Sequence, residues 1–169
     1  MNLDQKQLMV TQGEGRLVHL GGIGVHYKIP SAQTGATFSI VEHPVEPGTL
    51  VPPHVHTRED ELSFVVEGEF GVRIGERVFT ATPGCYVVKP RNIPHTFWNA
   101  GKKRARLVEI IFPAGFEQYF AEMAQLFPAN GGPPDFGEVA ELGGRYGLSF
   151  YMDWVPELEK QYKVKLLGG

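Results

Sequence analysis

A shortage of cysteine is the first constraint that this sequence imposes. Its single cysteine, Cys85, cannot form an internal disulfide, which excludes a small scaffold held together by disulfide bonds. A chain of 169 residues can bury a substantial core without such bonds. We therefore expect one domain that folds in a reducing compartment.

Long apolar runs and a strong net charge are also missing. No run approaches the roughly 20 apolar residues of a membrane helix, and the first residues, M-N-L-D-Q-K-Q, do not resemble a signal peptide. The 16 basic and 19 acidic residues give a net charge of −3, which provides no basic surface for nucleic acid or an anionic membrane. These absences predict a cytoplasmic protein with neither nucleic acid nor a membrane as a partner.

Turn-forming residues are abundant. The 21 glycines and 13 prolines are spread along the chain, between short runs rich in Val, Ile, Phe and Thr. This punctuation predicts many short strands and hence an all-β sandwich or barrel. The predicted strands are 16–20, 25–29, 36–42, 61–67, 70–74, 77–82, 86–89, 95–99 and 104–112.

The periodicity changes after residue 112. Between Phe116 and Phe127 apolar residues recur at helical spacing, and shorter helices are predicted over 136–146 and 156–162. The apolar face of the first helix needs a partner, either the sheet or a neighbouring subunit, and a two-fold homodimer is the commonest solution. We expect three parts along the chain: an N-terminal arm or peripheral strands over 1–35, a barrel over 36–112, and a helical extension packed on the barrel over 113–169.

The stretch Gly48–Gly68 contains the candidate chemistry. If it is extended, His54 and His56 lie two residues apart and share one face of a strand. Glu61 can reach the same place after a turn, and the only later histidine is His95. Imidazole and carboxylate groups together suit a divalent transition metal, so these residues form a candidate metal site.

The same stretch resembles the first motif of the cupin superfamily, G-x5-H-x-H-x(3,4)-E-x6-G, at every fixed position. The second cupin motif, G-x5-P-x-G-x2-H-x3-N, is similar to the segment 84–99, where its fixed positions are Gly84, Pro90, Asn92, His95 and Asn99. Only Asn92 departs from the motif, which has glycine there. Asparagine adopts a left-handed backbone more readily than most residues, so the substitution is physically mild.

This resemblance implies a double-stranded β-helix, also called a jelly-roll or cupin barrel, with one metal ion inside. The implied ligands are His54, His56, Glu61 and His95, and the metal could be Fe, Mn, Ni, Co, Cu or Zn. Asp60 competes with Glu61 because it satisfies the shorter spacing of the motif. We prefer Glu61, since it alone places the following glycine correctly.

Within the superfamily, the chain resembles single-domain bacterial proteins of the quercetinase-like kind. The complete ligand set, the single cupin domain and an aromatic-rich C-terminal extension support this reading. It implies a dioxygenase whose metal coordinates a small aromatic or enolisable substrate, with Glu61 as a possible proton acceptor.

Four further residues are candidates for a substrate pocket. Ser63, Val65 and Phe97 share strand faces with the predicted ligands, and Arg73 could orient an anionic substrate. The alternative for the first three is ordinary barrel packing, and for Arg73 a solvated position at the rim.

Two other functions stay open from the sequence. One is a non-catalytic cupin that binds a small ligand, although sensor cupins usually carry a helix-turn-helix domain, for which we expect no room in this chain. The other is a metal-dependent isomerase of a sugar or keto acid, which would share the metal site but consume no oxygen.

Overall fold

The computed structural model describes residues 9–129 and 131–169. Residues 1–8 of the predicted arm, and Asn130 in the predicted break after the first long helix, lie outside the described residues. The described chain forms two mostly antiparallel β-sheets that face each other as a jelly-roll barrel, followed by short helices. This architecture confirms the predicted all-β fold class.

The strands of the described chain are short and follow one another closely. In chain order they are β1 (Arg16–His19), β2 (Gly24–Ile29), β3 (Ser39–Val45), β4 (Thr49–Leu50), β5 (His54–His56), β6 (Asp60–Glu67), β7 (Phe70–Ile74), β8 (Arg77–Ala81), β9 (Tyr86–Lys89), β10 (His95–Asn99), β11 (Ala105–Phe112), β12 (Leu148–Phe150) and β13 (Lys165–Leu166). The helices are α1 (Ser31–Thr34), α2 (Glu117–Leu126), α3 (Phe136–Arg145) and α4 (Val155–Tyr162), with a 3₁₀ turn at Met152–Trp154.

The two sheets bring distant parts of the sequence together. The first has the order β1-β2-β3-β11-β6-β9, so β11 lies between β3 and β6. In the second, β10 pairs with β4 and β5 along one edge and with β7 along the other, and β8 follows β7. The strands that carry the two sequence motifs, β5, β6 and β10, thus come from both sheets and face a common interior.

The predicted strand that ended at residue 42 continues further. β3 extends to Val45 and includes Pro44. Proline is tolerated there because the ladder between β3 and β2 ends where Glu42 pairs with His26, before Pro44, so that ladder does not need the N–H that Pro44 lacks. As a result His43, which lies beyond the predicted end, is part of the strand and is buried.

The C-terminal third folds back onto the barrel. α2 buries Phe116, Tyr119 and Met123 in the main hydrophobic core, so its apolar face already has a partner within the chain. β12 adds to β5, and β13 pairs in parallel with β4. The short strands β4, β5, β12 and β13 were not predicted, because two or three residues are too few for a recognisable alternation.

The helices of the described chain are too short and too polar to cross a bilayer. Asp135 caps the start of α3, since its carboxylate accepts a hydrogen bond from the backbone N–H of Glu138 at 3.0 Å.

Candidate metal centre and adjoining cavity

Three strands place the four predicted ligands together. His54 and His56 lie on β5, Glu61 on β6 and His95 on β10, where His95 is directly opposite His54. One donor atom from each of the four side chains lies within 4.8 Å of the others. Donors about 2.1 Å from a shared ion lie roughly 3–4 Å from one another, so the group has the dimensions of a metal shell.

Backbone carbonyls fix two of the imidazoles. The Nδ1 of His54 donates to the Pro52 carbonyl at 2.6 Å, and the Nδ1 of His95 donates to the Ile93 carbonyl at 3.0 Å. Burial lowers the pKa of both histidines, well below the ordinary value for His54, so both rings are neutral near pH 7. A neutral ring that carries its hydrogen on Nδ1 presents a lone pair at Nε2.

The facing atoms at the centre of the group suit a cation. Burial alone would raise the pKa of Glu61, but the positive charge of Lys89 holds that pKa well below its usual range. The ionised carboxylate lies 3.2 Å from Nε2 of His95 and 3.5 Å from Nε2 of His56. A lone pair on His95 therefore faces a negative oxygen, an arrangement that a bound metal ion would make favourable.

A carboxylate supports the remaining imidazole. Nδ1 of His56 lies 3.4 Å from Oε2 of Glu59, and both side chains are buried. Neither atom has another hydrogen-bonding partner within the described residues. Carboxylates in this position orient metal-binding histidines and raise their basicity, which identifies Glu59 as a supporting residue of the site.

The competition between the two adjacent acidic residues has a structural answer. Asp60 turns away from the ligand group and accepts hydrogen bonds from Arg91, at 2.8 Å from the backbone N–H and at 2.6 and 3.1 Å from the guanidinium. These bonds lower the pKa of Asp60. Glu61 is thus the carboxylate that joins the three histidines.

A buried lysine links the ligand group to a second carboxylate. Nζ of Lys89 lies 2.9 Å from Oε2 of Glu61 and 2.6 Å from Oε2 of Glu109, which also accepts hydrogen bonds from Ser63 at 3.0 and 3.2 Å. Burial would lower the pKa of Lys89, but the two carboxylates raise it overall. Burial raises the pKa of Glu109 to about 7, against the opposing charge of Lys89.

A small cavity of ≈ 70 Å³ adjoins the ligand group. Its polar lining residues are His43, His54, Glu61, Lys89 and Glu109. The other lining residues are apolar or aromatic: Leu20, Ile23, Val51, Pro52, Phe97, Phe116, Tyr119, Phe120, Met123, Leu148, Phe150 and Leu167. The cavity therefore combines a polar end at the metal ligands with mostly hydrophobic walls, many of them from α2 and the segment before it.

The predicted pocket residues lie in different places. Phe97 lines the cavity, whereas Ser63 hydrogen-bonds to Glu109 and does not line it. Val65 is buried in the main core, also outside the cavity lining.

Arg73 lies apart from the cavity. Its guanidinium stacks 3.8 Å from the ring centroid of Trp154 and pairs with Glu157 at 3.2 Å. These contacts hold the C-terminal helix against the second sheet. Arg73 therefore does not line the cavity, although the pocket hypothesis required it to do so.

Sequence reasoning missed Lys89, Glu109 and His43 as cavity residues. The Nδ1 of His43 donates to the Gly24 carbonyl at 3.0 Å, and burial lowers the pKa of His43 to about 4. The alternation of side chains along a strand could have indicated two of them. Lys89 shares a face of β9 with the apolar Val87, and Glu109 shares a face of β11 with the apolar Leu107.

Comparison with known proteins agrees with this geometry. Residues 42–111 match the family model described as the cupin domain. KdgF from Halomonas sp. has a similar structure, with a TM-score of 0.58 and 19% identity, covering 64% of this chain and 96% of that one. At this identity the likeness shows the fold alone, which is a cupin fold.

Two sequence relatives are more partial. The HTH-type transcriptional regulator PuuR of Escherichia coli is 24% identical over 114 residues, which cover 67% of this chain and 60% of that protein. Germin-like protein subfamily T member 2 of Arabidopsis thaliana is 38% identical over 69 residues, covering 37% of this chain and 30% of that protein. The match thus spans less than two thirds of the length of either relative.

Proposed function

We propose that this cupin-fold protein is a metal-dependent dioxygenase that acts on a small, mostly apolar, enolisable or aromatic substrate. The observation that carries the proposal is the mostly apolar cavity whose lining includes two of the four candidate ligands, His54 and Glu61, together with Lys89 and Glu109. A substrate with one acidic oxygen and an otherwise apolar body complements such a cavity.

The volume of the cavity narrows the substrate class. At ≈ 70 Å³ it is smaller than the engineered cavity of about 150 Å³ that holds benzene in another protein. A compact enolisable dicarbonyl is only slightly larger than benzene, so it would need a smaller displacement of the cavity walls than a fused-ring flavonol.

The residues of the chain would divide the work. His54, His56, Glu61 and His95 would hold a divalent transition ion, which supplies Lewis acidity toward a substrate oxygen. Lys89 holds one oxygen of Glu61 at 2.9 Å and keeps that carboxylate ionised as a ligand.

Glu109 is better suited than Glu61 to accept the substrate proton. It lines the cavity, and its pKa of about 7 is near the range in which a general base is most effective. Glu61 is a weak base because its pKa is held well below the usual range. We therefore propose that Glu109, and not Glu61 as expected from the sequence, accepts the substrate proton.

Metal content tests the first part of the proposal. Elemental analysis of the purified protein should find one transition metal per chain, and His54→Ala and His95→Ala should each lose it. Retention of the metal by both variants would refute the site.

Oxygen consumption tests the reaction. The protein is loaded in turn with Fe²⁺, Mn²⁺, Ni²⁺ and Co²⁺ and mixed with pentane-2,4-dione or with a flavonol in an oxygen electrode. We expect uptake with the diketone, and a loss of kcat in Glu109→Gln with the metal retained. Binding under anaerobic conditions without turnover when oxygen is admitted would contradict a dioxygenase, and product formation without oxygen uptake would indicate an isomerase.

A second candidate is a ligand-binding domain without catalysis. The partial match to a transcriptional regulator favours it, although the match extends over only 60% of that protein. In this case the protein would bind small molecules in the cavity, with or without metal, and none would be converted.

A further inference from the structure

Three neighbouring strands of the first sheet, β11, β6 and β9, carry apolar residues on the face turned away from the barrel interior. On β6, Glu61 and Ser63 face the interior and are buried, whereas Leu62 and Phe64 occupy the opposite face. An antiparallel sheet with one solvated face normally places polar residues outward. The outward apolar residues of these three strands depart from that pattern.

The register aligns these outward residues into two rows across the sheet. Ile110 of β11 is opposite Leu62 of β6, which is opposite Val88 of β9. In the adjacent row, Val108, Phe64 and Tyr86 are aligned in the same way. We call these six residues the outer patch: Leu62, Phe64, Tyr86, Val88, Val108 and Ile110.

The outer patch has no partner within the described chain. None of its six residues belongs to, or packs against, either hydrophobic core, and Val88 and Tyr86 are 60% and 69% exposed. The rings of Phe64 and Tyr86 lie 4.7 Å apart and contact each other across the strands. Apolar patches of this kind on a protein surface mark interaction sites.

We propose that the outer patch is the interface of a two-fold homodimer, in which it packs against the same patch of a second copy of this chain. In such a dimer the two first sheets would stack face to face, about 10 Å apart, as in a β-sandwich. A two-fold interface requires a surface that is complementary to itself, and a flat face made of two apolar rows meets this requirement.

The charges beside the outer patch favour a second copy over a charged partner. Arg106 is the nearest cation on the same face of β11, and it is paired within the chain to Glu42 at 3.2 Å and to Glu67 at 3.7 Å. The patch itself carries no charge. The face therefore lacks a free charge that would select a basic or acidic partner, while the paired residues provide the polar rim of a typical interface.

The area is consistent with a dimer. With Ile40 of β3 opposite Ile110, the outer face of β3, β11, β6 and β9 is four strands wide, or about 19 Å. Over about seven residues, or roughly 24 Å along the strands, this face has a footprint of roughly 450 Å² per copy, or about 900 Å² for two, with the outer patch at its centre and the polar rim at its ends, before side-chain relief is added. Stable interfaces begin near a total of about 1,200 Å², which the patch and its rim together can supply.

Sedimentation velocity of the full-length protein tests this interface. We expect a dimer at tens of micromolar, and a rise of at least ~100-fold in the dissociation constant for Val88→Glu, which would bury an unpaired carboxylate at two symmetric positions. Tyr86→Lys, at the most exposed position of the patch, should act in the same way.

The control is Val78→Glu, which changes a 48% exposed valine on β8 in the other sheet and should remain a dimer. Circular dichroism verifies that all variants are folded. A wild-type protein that is monomeric would overturn the proposal. This holds whether the patch is then exposed or is covered by another segment or protein. A dimer that survives both Val88→Glu and Tyr86→Lys would also overturn it. The test does not involve the metal site, so its outcome is independent of the proposed enzymatic activity.

Discussion

Substitution of Glu59 should weaken metal binding without weakening the fold. The Glu59 carboxylate lies 3.4 Å from Nδ1 of His56 and has no other hydrogen-bonding partner at Oε2 among the described residues. Loss of such a supporting carboxylate typically lowers metal affinity 10- to 100-fold, or by about 1.4–2.7 kcal/mol. Because 3.4 Å is long for a charge-assisted hydrogen bond, we expect Glu59→Ala near the lower end of that range.

The metal-free protein should respond in the opposite direction. Without a metal, Glu59 is a buried carboxylate with an unsatisfied oxygen, which is costly. Glu59→Gln preserves the shape and one acceptor but removes the charge, so it should leave the stability of the apo-protein unchanged or raise it by about 1 kcal/mol. The same variant should bind metal more weakly than the wild type.

Two measurements separate these effects. Metal affinity is obtained by titrating the apo-protein with Co²⁺ against a competing chelator, with the visible absorbance of the bound ion as the signal. Stability is obtained from thermal unfolding in the presence of EDTA. The control is Glu67→Gln, at the end of the strand that follows Glu59, whose side chain is 67% exposed. Unchanged Co²⁺ affinity in both Glu59 variants, or a parallel loss of affinity and apo stability, would refute the reasoning.

Three further predictions concern other parts of the chain. Gly71→Ala should lower stability by about 3 kcal/mol in thermal unfolding, because the added Cβ would overlap the buried indole of Trp98. Arg73→Ala should cost about 1 kcal/mol through its lost stacking on Trp154, and leave metal affinity unchanged. The raised pKa of Glu109 favours the folded state below about pH 4.5, and this contribution is lost as the pH rises through about 7. Glu109→Gln should therefore flatten the pH dependence of apo-protein stability over that interval, and an unchanged pH profile would contradict the assignment.

The ligand group could be predicted because two features of the sequence each constrain which residues belong to it. His54 and His56 must share a face wherever the segment is extended, and the second motif adds His95 at a fixed distance from Gly84. The left-handed position in that motif behaves as expected, since Asn92 has φ of 64°.

The charged residues of the cavity are harder to predict, because a charged residue in a short strand normally faces solvent. Lys89 and Glu109 face inward only because each compensates the other and Glu61 completes the charge balance. These three residues lie on three different strands, so their pairing cannot be inferred from the sequence of any one strand. By contrast, the outward position of Arg73 was predictable, since Phe70 and Val72 are the buried residues of β7 and Arg73 has the opposite parity.

The polar interior and the apolar exterior of the first sheet have a common origin. On β6 the period of two places Glu61 beside the metal ligands and, one residue later, Leu62 on the outer surface. A shift of register by one residue would exchange these faces, burying leucine and phenylalanine in place of the carboxylate and the serine. Hydrophobicity alone favours that exchange, so the observed register depends on the ion pairs around Lys89 inside and on coverage of the apolar face outside. Dimerisation through the outer patch would supply that coverage, and would thereby stabilise the strand that positions Glu61.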